Sequence, residues 1–377
     1  MSDYSVSDIP KLGFGLMRLP MLEGTQDIDL EQSKKMVDIF MEAGFTYFDT
    51  AWTYGMGASE SAAKEILVKR YPRESFRLAT KLFAHAVKTE EDAKQQLFTS
   101  LERTGAGYFD YYLLHDLEIE SIPLYEKWHL WDYVREMKEK GLIKHYGFSF
   151  HAKPEDLEDV LTKHPDAEFV QLQINYADWE ELRVEARACY EVARKHGKPV
   201  VVMEPVKGGM LANPPENVAK LLRGANPEAS CASWAVRFAA SLDGVMTVLS
   251  GMSTVEQVED NVSFMKDFRP LDAEEKKVIE EARREIAKID SIPCTACSYC
   301  TAGCPEQISI PGIFRAMNAH KVFGDDGMAV NNYNFATARG HGKASDCVAC
   351  GQCTDICPQH LPIIDLLKEC AELFDKA

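Results

Sequence analysis

Between about residues 10 and 265, short apolar and β-branched runs alternate with longer stretches whose apolar positions recur every three to four residues. The runs are KLGFGLM, TYFDTA, FRLATKL, FDYYLLH, KHYGFSF, FVQLQINY, PVVVMEPV and VMTVLSG. Many are apolar throughout instead of alternating with polar residues, the mark of parallel strands covered on both faces. Helical patterns separate them over 30–43, 59–71, 89–104, 130–140, 154–163, 183–196 and 230–242. Eight such alternations predict an α/β fold, a (β/α)8 barrel occupying residues 1–270. The competing arrangement, a doubly wound sheet, lacks its sequence mark, because no GxGxxG follows the first strand.

The pattern changes at FRPLDAEEKKVIEEARREIAKIDSIP. Asp272 is placed to cap a charged helix with acidic residues in its first turn. This helix predicts a linker into a second domain over residues 271–377. A chain of 377 residues is too long for one ordinary core, in keeping with that division.

Composition narrows the class. Hydrophobic residues are 46% and charged residues 27% of the chain, an ordinary globular mixture. No apolar run reaches the roughly 18 to 20 residues that span a bilayer. The opening MSDYSVSDIPKLGFG has acidic residues and no apolar h-region, so no signal peptide is predicted. A net charge of −17 opposes nucleic-acid binding, which needs a basic footprint. Residues 273–377 carry 15 acidic and 11 basic residues, a net of −4, and the remaining −13 lies in 1–272. The near-neutral C-terminal region therefore sets up no barrier to an acidic electron carrier.

Eight of the 11 cysteines fall in two arrays, CTACSYCTAGCP and CVACGQCTDICP. Without an export signal, this usage predicts a reducing cytoplasm instead of a disulfide scaffold. Cys189, Cys231 and Cys370 lie apart and read as unreactive thiols. Each array has the form C-x2-C-x2-C-x3-C-P, in which the fourth cysteine ligates the other cluster. Cys294, Cys297, Cys300 and Cys357 are thus assigned to one [4Fe–4S] cluster, and Cys347, Cys350, Cys353 and Cys304 to a second. Zinc more often uses two separated pairs. The 42 residues between Cys304 and Cys347 are helix-like over 310–322, then rich in Gly, Asn and Asp. That length predicts a mainly helical two-cluster domain, with ISIPGIF and LPIIDLL packed around the clusters.

In a parallel barrel, chemistry gathers at the C-terminal strand ends. Those ends supply Asp49 from YFDTA, Lys81 from LATKL and His115 from YLLHD, with Tyr54 in the loop after Asp49. Singly, each has a structural explanation: a helix cap, a surface lysine, a core histidine. Together they form a proton-transfer set. Reducing a carbonyl generates an alkoxide that must receive a proton, and a tyrosine of pKa about 10 is too weak an acid for neutral pH. A neighbouring ammonium lowers that value. Tyr54 is the predicted donor, Lys81 its tuner, Asp49 the anchor of Lys81 and His115 the group that orients the carbonyl.

Asp49, Tyr54, Lys81 and His115 match in order and spacing the catalytic tetrad of the aldo-keto reductase superfamily. LGFGLMRLP, FDTAWTYG, GLIKHYGFSFH and NVSFMKDF also resemble it, particularly its iron–sulfur-fused branch. The resemblance implies a (β/α)8 fold and nicotinamide-dependent interconversion of carbonyls and alcohols. It implies cofactor contacts at Ser149, where Phe150 replaces the usual next residue Asn, and at Gln173, with Gln171 as the alternative register. Ser253, Gln257 and Asn261, in SGMSTVEQVEDN, are implied for adenosine or phosphate groups. Strand seven, VVMEPVKGG, has Met203 or Glu204 where the family places a stacking aromatic. SGMSTVEQVEDN has no Arg or Lys for a 2′-phosphate, which tilts NAD(P)H use toward NADH.

Two functional classes follow. In the first, the chain is an oxidoreductase acting on a small carbonyl or alcohol, with clusters exchanging electrons with a ferredoxin- or flavodoxin-like carrier. In the second, it is an electron-transfer or redox-sensing protein on a reused barrel. Clusters move single electrons while nicotinamide moves hydride, so direct coupling calls for a two-electron adaptor such as a flavin. Trp52, Phe83, Tyr176 and Trp179 are candidate walls of the substrate pocket.

Overall fold

A computed structural model describes residues 9–25, 27–181, 184–338 and 340–375. Residues 1–8, read above for a signal peptide, and Arg183, at the start of one predicted helix, lie outside the described residues. The chain divides into two compact units. One comprises Met1–Glu180, Val184–Lys207 and Ala232–Lys276; the other comprises Glu181–Arg183, Gly208–Cys231 and Lys277–Ala377.

The first unit contains β1 (Leu12–Gly15), α1 (Leu30–Glu42), β2 (Tyr47–Asp49), α2 (Ser59–Ala63), β3 (Arg77–Leu82), α3 (Glu90–Thr104) and β4 (Phe109–Leu117). It continues through α4 (Ile122–Lys127), α5 (Leu130–Glu139), β5 (Ile143–Phe150), α6 (Pro154–Lys163), β6 (Val170–Gln173), α7 (Ala186–Lys195) and β7 (Val200–Met203). Then, after α8 (Glu216–Ala225) of the second unit, come α9 (Cys231–Ala240), β8 (Val245–Ser250) and α10 (Val255–Met265). The strands form a closed barrel in sequential order. All pairs are parallel, and β8 closes on β1 with Leu12 opposite Val248. All eight predicted runs carry a strand.

Helix boundaries follow the sequence chemistry. Asp29 caps α1 by accepting from Gln32 N (3.0 Å), and Thr89 caps α3 by accepting from Asp92 N (3.1 Å). These bonds satisfy amides that the first helical turn leaves unpaired. Beyond α2, the predicted 59–71 helix widens into a π turn at Lys64–Val68.

Period-two alternation builds the barrel interior in layers. Tyr47, Ala79, Leu113, Phe169 and Val201 form an apolar plug with Tyr111. Tyr111 lies 5.1 Å from Tyr47 and 5.4 Å from Phe169 between ring centres. Two residues further along their strands stand Asp49, Lys81, His115, Gln171 and Met203. The polar residues are therefore the next layer toward the C-terminal ends. Gly147 lets β5 approach β6: a Cβ there would lie 2.3 Å from the Phe169 carbonyl oxygen. Residue 149, two further on, is the serine predicted for cofactor contact.

The predicted linker helix is α11 (Ala273–Ala287). Asp272 caps it, its Oδ1 accepting from the amides of Glu274 and Glu275 (both 2.9 Å). The second unit then forms α12 (Tyr299–Ala302), α13 (Ile310–Phe323), α14 (Asp326–Ala336), α15 (Gln352–Ile356) and α16 (Ile363–Phe374). Its core joins Ile308, Ile313, Phe314, Met317 and Leu367. Helix α14 was not predicted; its residues were read as a Gly/Asn/Asp-rich stretch. Asp325 caps it through Met328 N (2.8 Å). Tyr333 anchors it by donating to Asp375 (2.7 Å) while accepting from Ala344 N (2.9 Å). Met210 packs with Ala319 and Ala329, and Asn217 donates to Glu285 (2.8 Å), contacts that join Gly208–Cys231 to this unit. Among the described residues, no helix is long and apolar enough to cross a membrane.

Candidate active site

The four predicted catalytic residues converge. Lys81 is fully buried and donates to Asp49 Oδ1 (2.5 Å) and to the Thr50 carbonyl (2.8 Å). Its ammonium also lies 4.5 Å from the centre of the Tyr54 ring. The His115 ring stands edge-on to Tyr54 at 5.9 Å and 5.4 Å from Phe83. Tyr54 sits on a short turn whose next three residues, Gly55, Met56 and Gly57, all have positive φ. Thr50 and Ser59 pin this loop, sharing a hydrogen bond of 2.8 Å, while Ser59 Oγ donates to the Leu16 carbonyl (2.9 Å).

Electrostatics correct one expectation. Lys81 does act to lower the Tyr54 pKa, as predicted, but burial is larger and the net direction is upward; Asp49 and Glu204 add to it. Removing the hydroxyl from water disfavours phenolate more than one ammonium favours it. Tyr54 is therefore held firmly protonated. Burial acts to lower Lys81, but attraction to Asp49 and Tyr54 outweighs it and the net shift is upward. Burial, then the Lys81 charge, then His151 push His115 well below the usual histidine value. Its imidazole is neutral at neutral pH, and its buried Nδ1 has no partner among the described residues.

The predicted cofactor residues divide. Ser149 is buried and its Oγ accepts from Asp116 N (2.8 Å). Gln171 is opposite Ser149 in the β5–β6 register. Its Nε2 reaches the Met203 sulfur (3.5 Å), and its Oε1 is buried with no partner among the described residues. Gln173 instead donates to Asp178 (2.8 Å). Asp178 also accepts from Asn175 (2.7 Å) and pairs with Lys207.

At the start of α10, Gln257 Oε1 accepts from Ser253 N (2.7 Å) and Thr254 Oγ1 accepts from Gln257 N (3.3 Å). Thr254 is thus the helix cap, and Gln257 reaches back to the Ser253 amide. Asn261 donates to the Gln257 carbonyl (2.9 Å), and its buried Oδ1 has no partner among the described residues.

One residue escaped the sequence reading. Arg18 follows β1 on a short turn, and its carbonyl accepts from Ser253 Oγ (2.7 Å). Its side chain lies over Gly251, with Cδ 3.4 Å from where a Cβ would stand. Its available signal was proximity to a strand end. Of the predicted pocket walls, Phe83 lies against His115, whereas Trp52 lies beneath the Arg103 guanidinium at 4.0 Å. Tyr176 and Trp179 instead pack on Phe238.

In the second unit, the two arrays share a backbone conformation. Positive φ recurs at equivalent positions: Ala296 and Ala349, Ser298 and Gly351, Gln307 and His360. Matching bonds run from Gln307 N to the Cys304 carbonyl (3.1 Å) and from His360 N to the Cys357 carbonyl (3.0 Å). One small cavity is lined by Cys294, Cys297, Cys300 and Cys357, with Ile310 and Phe314. Another is lined by Cys304, Cys347, Cys350 and Cys353, with Ile308 and Leu367. Each is walled by three cysteines of one array and the fourth of the other, with the predicted apolar segments around them.

Comparison with known proteins identifies both parts of the chain. Residues 11–284 match the aldo/keto reductase family, and residues 293–361 match a 4Fe-4S dicluster domain. The chain belongs to the aldo/keto reductase family. It is similar to YqkF of Bacillus subtilis (strain 168), an uncharacterized oxidoreductase, at 23% identity over 316 residues, 74% of this chain and 95% of that one. An aldo-keto reductase from Bacillus halodurans, in its holo form, superposes with a TM-score of 0.58 at 26% identity, covering 73% of this chain and 92% of that one. An aldo/keto reductase from Klebsiella pneumoniae, solved with NADP and acetate, superposes at 0.59 and 20% identity, covering 72% and 91%; this likeness is one of fold.

Proposed function

We propose that the barrel interconverts a small carbonyl compound and its alcohol, with Tyr54 as the proton donor and a nicotinamide dinucleotide as the hydride carrier. The observation that carries this reading is the buried Asp49–Lys81 pair beneath Tyr54 and His115. A bound reduced nicotinamide supplies hydride to the carbonyl carbon; this chain's side chains do the rest. The carbonyl oxygen is received between the Tyr54 hydroxyl and a ring N–H of neutral His115. As alkoxide charge develops, Tyr54 passes its proton to that oxygen, and Lys81, kept charged by Asp49, stabilises the phenolate left behind.

Ser149 and Gln171 would hold the carboxamide, since they are partners in register and Gln171 keeps a buried oxygen with no partner among the described residues. Gln173, the residue first assigned, is engaged by Asp178. Arg18 would meet a phosphate beside Ser253 and Asn261. It supplies from β1 the cation that SGMSTVEQVEDN lacks, so NADPH is not disfavoured on that ground.

In the second unit, the two cysteine sets would hold two [4Fe–4S] clusters, which supply one-electron transfer when bound. Cys297 and Cys350 are exposed, a position from which an external carrier can reach the cluster edges. The test is carbonyl-dependent oxidation of NADH and NADPH by the cluster-loaded protein. Tyr54→Phe should cut kcat by about 10²- to 10⁴-fold, the usual contribution of a positioned acid. Unchanged turnover of every carbonyl tried would sink the assignment.

A further inference from the structure

Thr50 follows Asp49 and Thr80 precedes Lys81, and alternation turns both threonines away from the barrel interior, toward the helices. Each is met there by a residue at the start of α2. Ser59 Oγ shares its 2.8 Å hydrogen bond with Thr50 Oγ1, and Glu60 Oε1 accepts from Thr80 Oγ1 (2.7 Å). All four residues are fully buried. Helix α2 directly follows the Tyr54 turn. Two adjacent residues therefore tie the segment carrying Tyr54 to the backs of both strands that carry the Asp49–Lys81 pair.

Glu60 makes a second tie. Its Oε2 accepts from Arg103 Nη1 of α3 (3.2 Å), and the Arg103 guanidinium lies 4.0 Å from the centre of the Trp52 ring. Trp52 belongs to the loop between Asp49 and Tyr54. The contacts close a ring, from Tyr54 back to Trp52, across to Arg103, then to Glu60 and Thr80. The next residue is Lys81, whose ammonium stands 4.5 Å from the centre of the Tyr54 ring. Burying a carboxylate is costly, and an apolar side chain of similar size would hold a helix to a strand as well or better. What the carboxylate adds is geometry: two oxygens fix two partners at set directions.

We propose that Glu60 is a positioning residue for Tyr54 and Lys81. Its two oxygens hold Thr80 and Arg103, and through them keep the Tyr54 loop and the Lys81 strand in one alignment. Glu60 touches no reacting atom. Its value for catalysis rests on the carbonyl chemistry proposed above; the alignment itself does not.

The test reads Tyr54 without turnover. The cluster-loaded protein carries 3-fluorotyrosine at position 54, and fluorine NMR follows its ionisation with pH. Lys81, Asp49 and Glu204 act on this hydroxyl, with the His115 ring edge-on to Tyr54. Of these only Lys81 favours phenolate, so its displacement shows as a rise in the midpoint. Thr80→Val breaks the bond to Glu60 without altering charge, and Thr80→Ser keeps it. Thr80→Val should raise the midpoint by about one unit, and Thr80→Ser should restore the wild-type value. Glu60→Gln should raise it too. The sign is decisive there, because removing a negative charge would by itself favour phenolate and lower the midpoint. Equal midpoints in Thr80→Val and Thr80→Ser overturn the proposal, as does a fall in Glu60→Gln. Should Glu60→Gln not fold, the threonine pair decides alone. A second arm measures turnover, in which Thr80→Val should lower kcat by up to about a hundredfold with KM little changed. A loss carried by KM instead makes Thr80 a support of the pocket wall and overturns the proposal. If the midpoints move as stated in a protein that reduces no carbonyl, the carbonyl chemistry fails while the Glu60 assignment stands.

Discussion

The Lys81 ammonium stands 4.5 Å from the centre of the Tyr54 ring, yet the Tyr54 hydroxyl is shifted up, not down. Lys81 has two separable effects. It holds Tyr54 short of the still higher value that burial alone would impose, and it waits as the counter-ion for phenolate. A donor of carbonyl reduction needs the first state protonated and the second stabilised, and burial beside an ammonium provides both.

Reduction should accordingly be insensitive to alkali until well past the ordinary tyrosine value of about 10, while alcohol oxidation, which needs phenolate, should climb with pH throughout that range. Lys81→Met should lower both directions by about 10²-fold or more and displace the oxidation profile further toward alkali. It also strands Asp49 without its cation, for which about 3–5 kcal/mol of stability is the usual cost. Steady-state pH profiles in both directions, with urea unfolding of the variant, check this. An oxidation profile unmoved by Lys81→Met would contradict the tuning role.

Crossed ligation predicts which cysteines act together. Cys300 and Cys357 line one cavity, while Cys304 and Cys353 line the other. Cys300→Ser and Cys357→Ser should therefore perturb the same cluster signal in electron paramagnetic resonance, and Cys304→Ser and Cys353→Ser the other. Wild type should carry about eight iron atoms. A Cys357 variant that disturbs the Cys353 signal instead would mean each array ligates its own cluster.

The barrel was legible because buried parallel strands write themselves as apolar runs, and the convergence of Asp49, Tyr54, Lys81 and His115 because they sit at or just beyond strand ends. The grouping of three cysteines of one array with the fourth of the other was legible from spacing. Other features depend on neighbours distant in sequence. Arg18 and Glu204 are single charged residues whose surroundings form only when β1 meets β8 and β6 meets β7. Gln171 and Gln173 lie on the same face by alternation, so the strand pattern could not separate them; Asp178, which engages Gln173, lies on the following loop. Helix α14 spells DGMAVNNYNFA, without a usable apolar period, and is held by its Asp325 cap and by Tyr333. The direction of the Tyr54 shift was misread because burial, which decides it, is a property of the fold.

His115 makes acid stability informative. Its folded pKa lies below the ordinary value of about 6.5, so in the window below that value the unfolded chain binds a proton that the folded chain refuses. Stability then rises with pH, and acidification erodes it through this group. His115→Gln should flatten that part of the stability–pH curve, measured by urea unfolding between about pH 7 and 5. A slope identical in wild type and variant would mean that His115 titrates normally in the folded protein.

Arg18 has no ion pair among the described residues, and its stem lies over Gly251, beside the loop that opens α10. Ser253 Oγ fixes the turn that presents it. An arginine so placed, with Asn261 of α10 holding a buried oxygen that has no partner among the described residues, suits a phosphate of the dinucleotide. Losing one charge-assisted contact costs about 1.5–3 kcal/mol, or roughly ten- to a hundredfold in affinity. Arg18→Ala should raise the dissociation constant of NADPH by that factor, with kcat at saturating cofactor little changed. The NADH comparison locates the contact: an equal loss for both nucleotides places Arg18 on the shared pyrophosphate, and a loss confined to NADPH places it on the 2′-phosphate. Unchanged affinity for both would leave Arg18 a packing residue over Gly251.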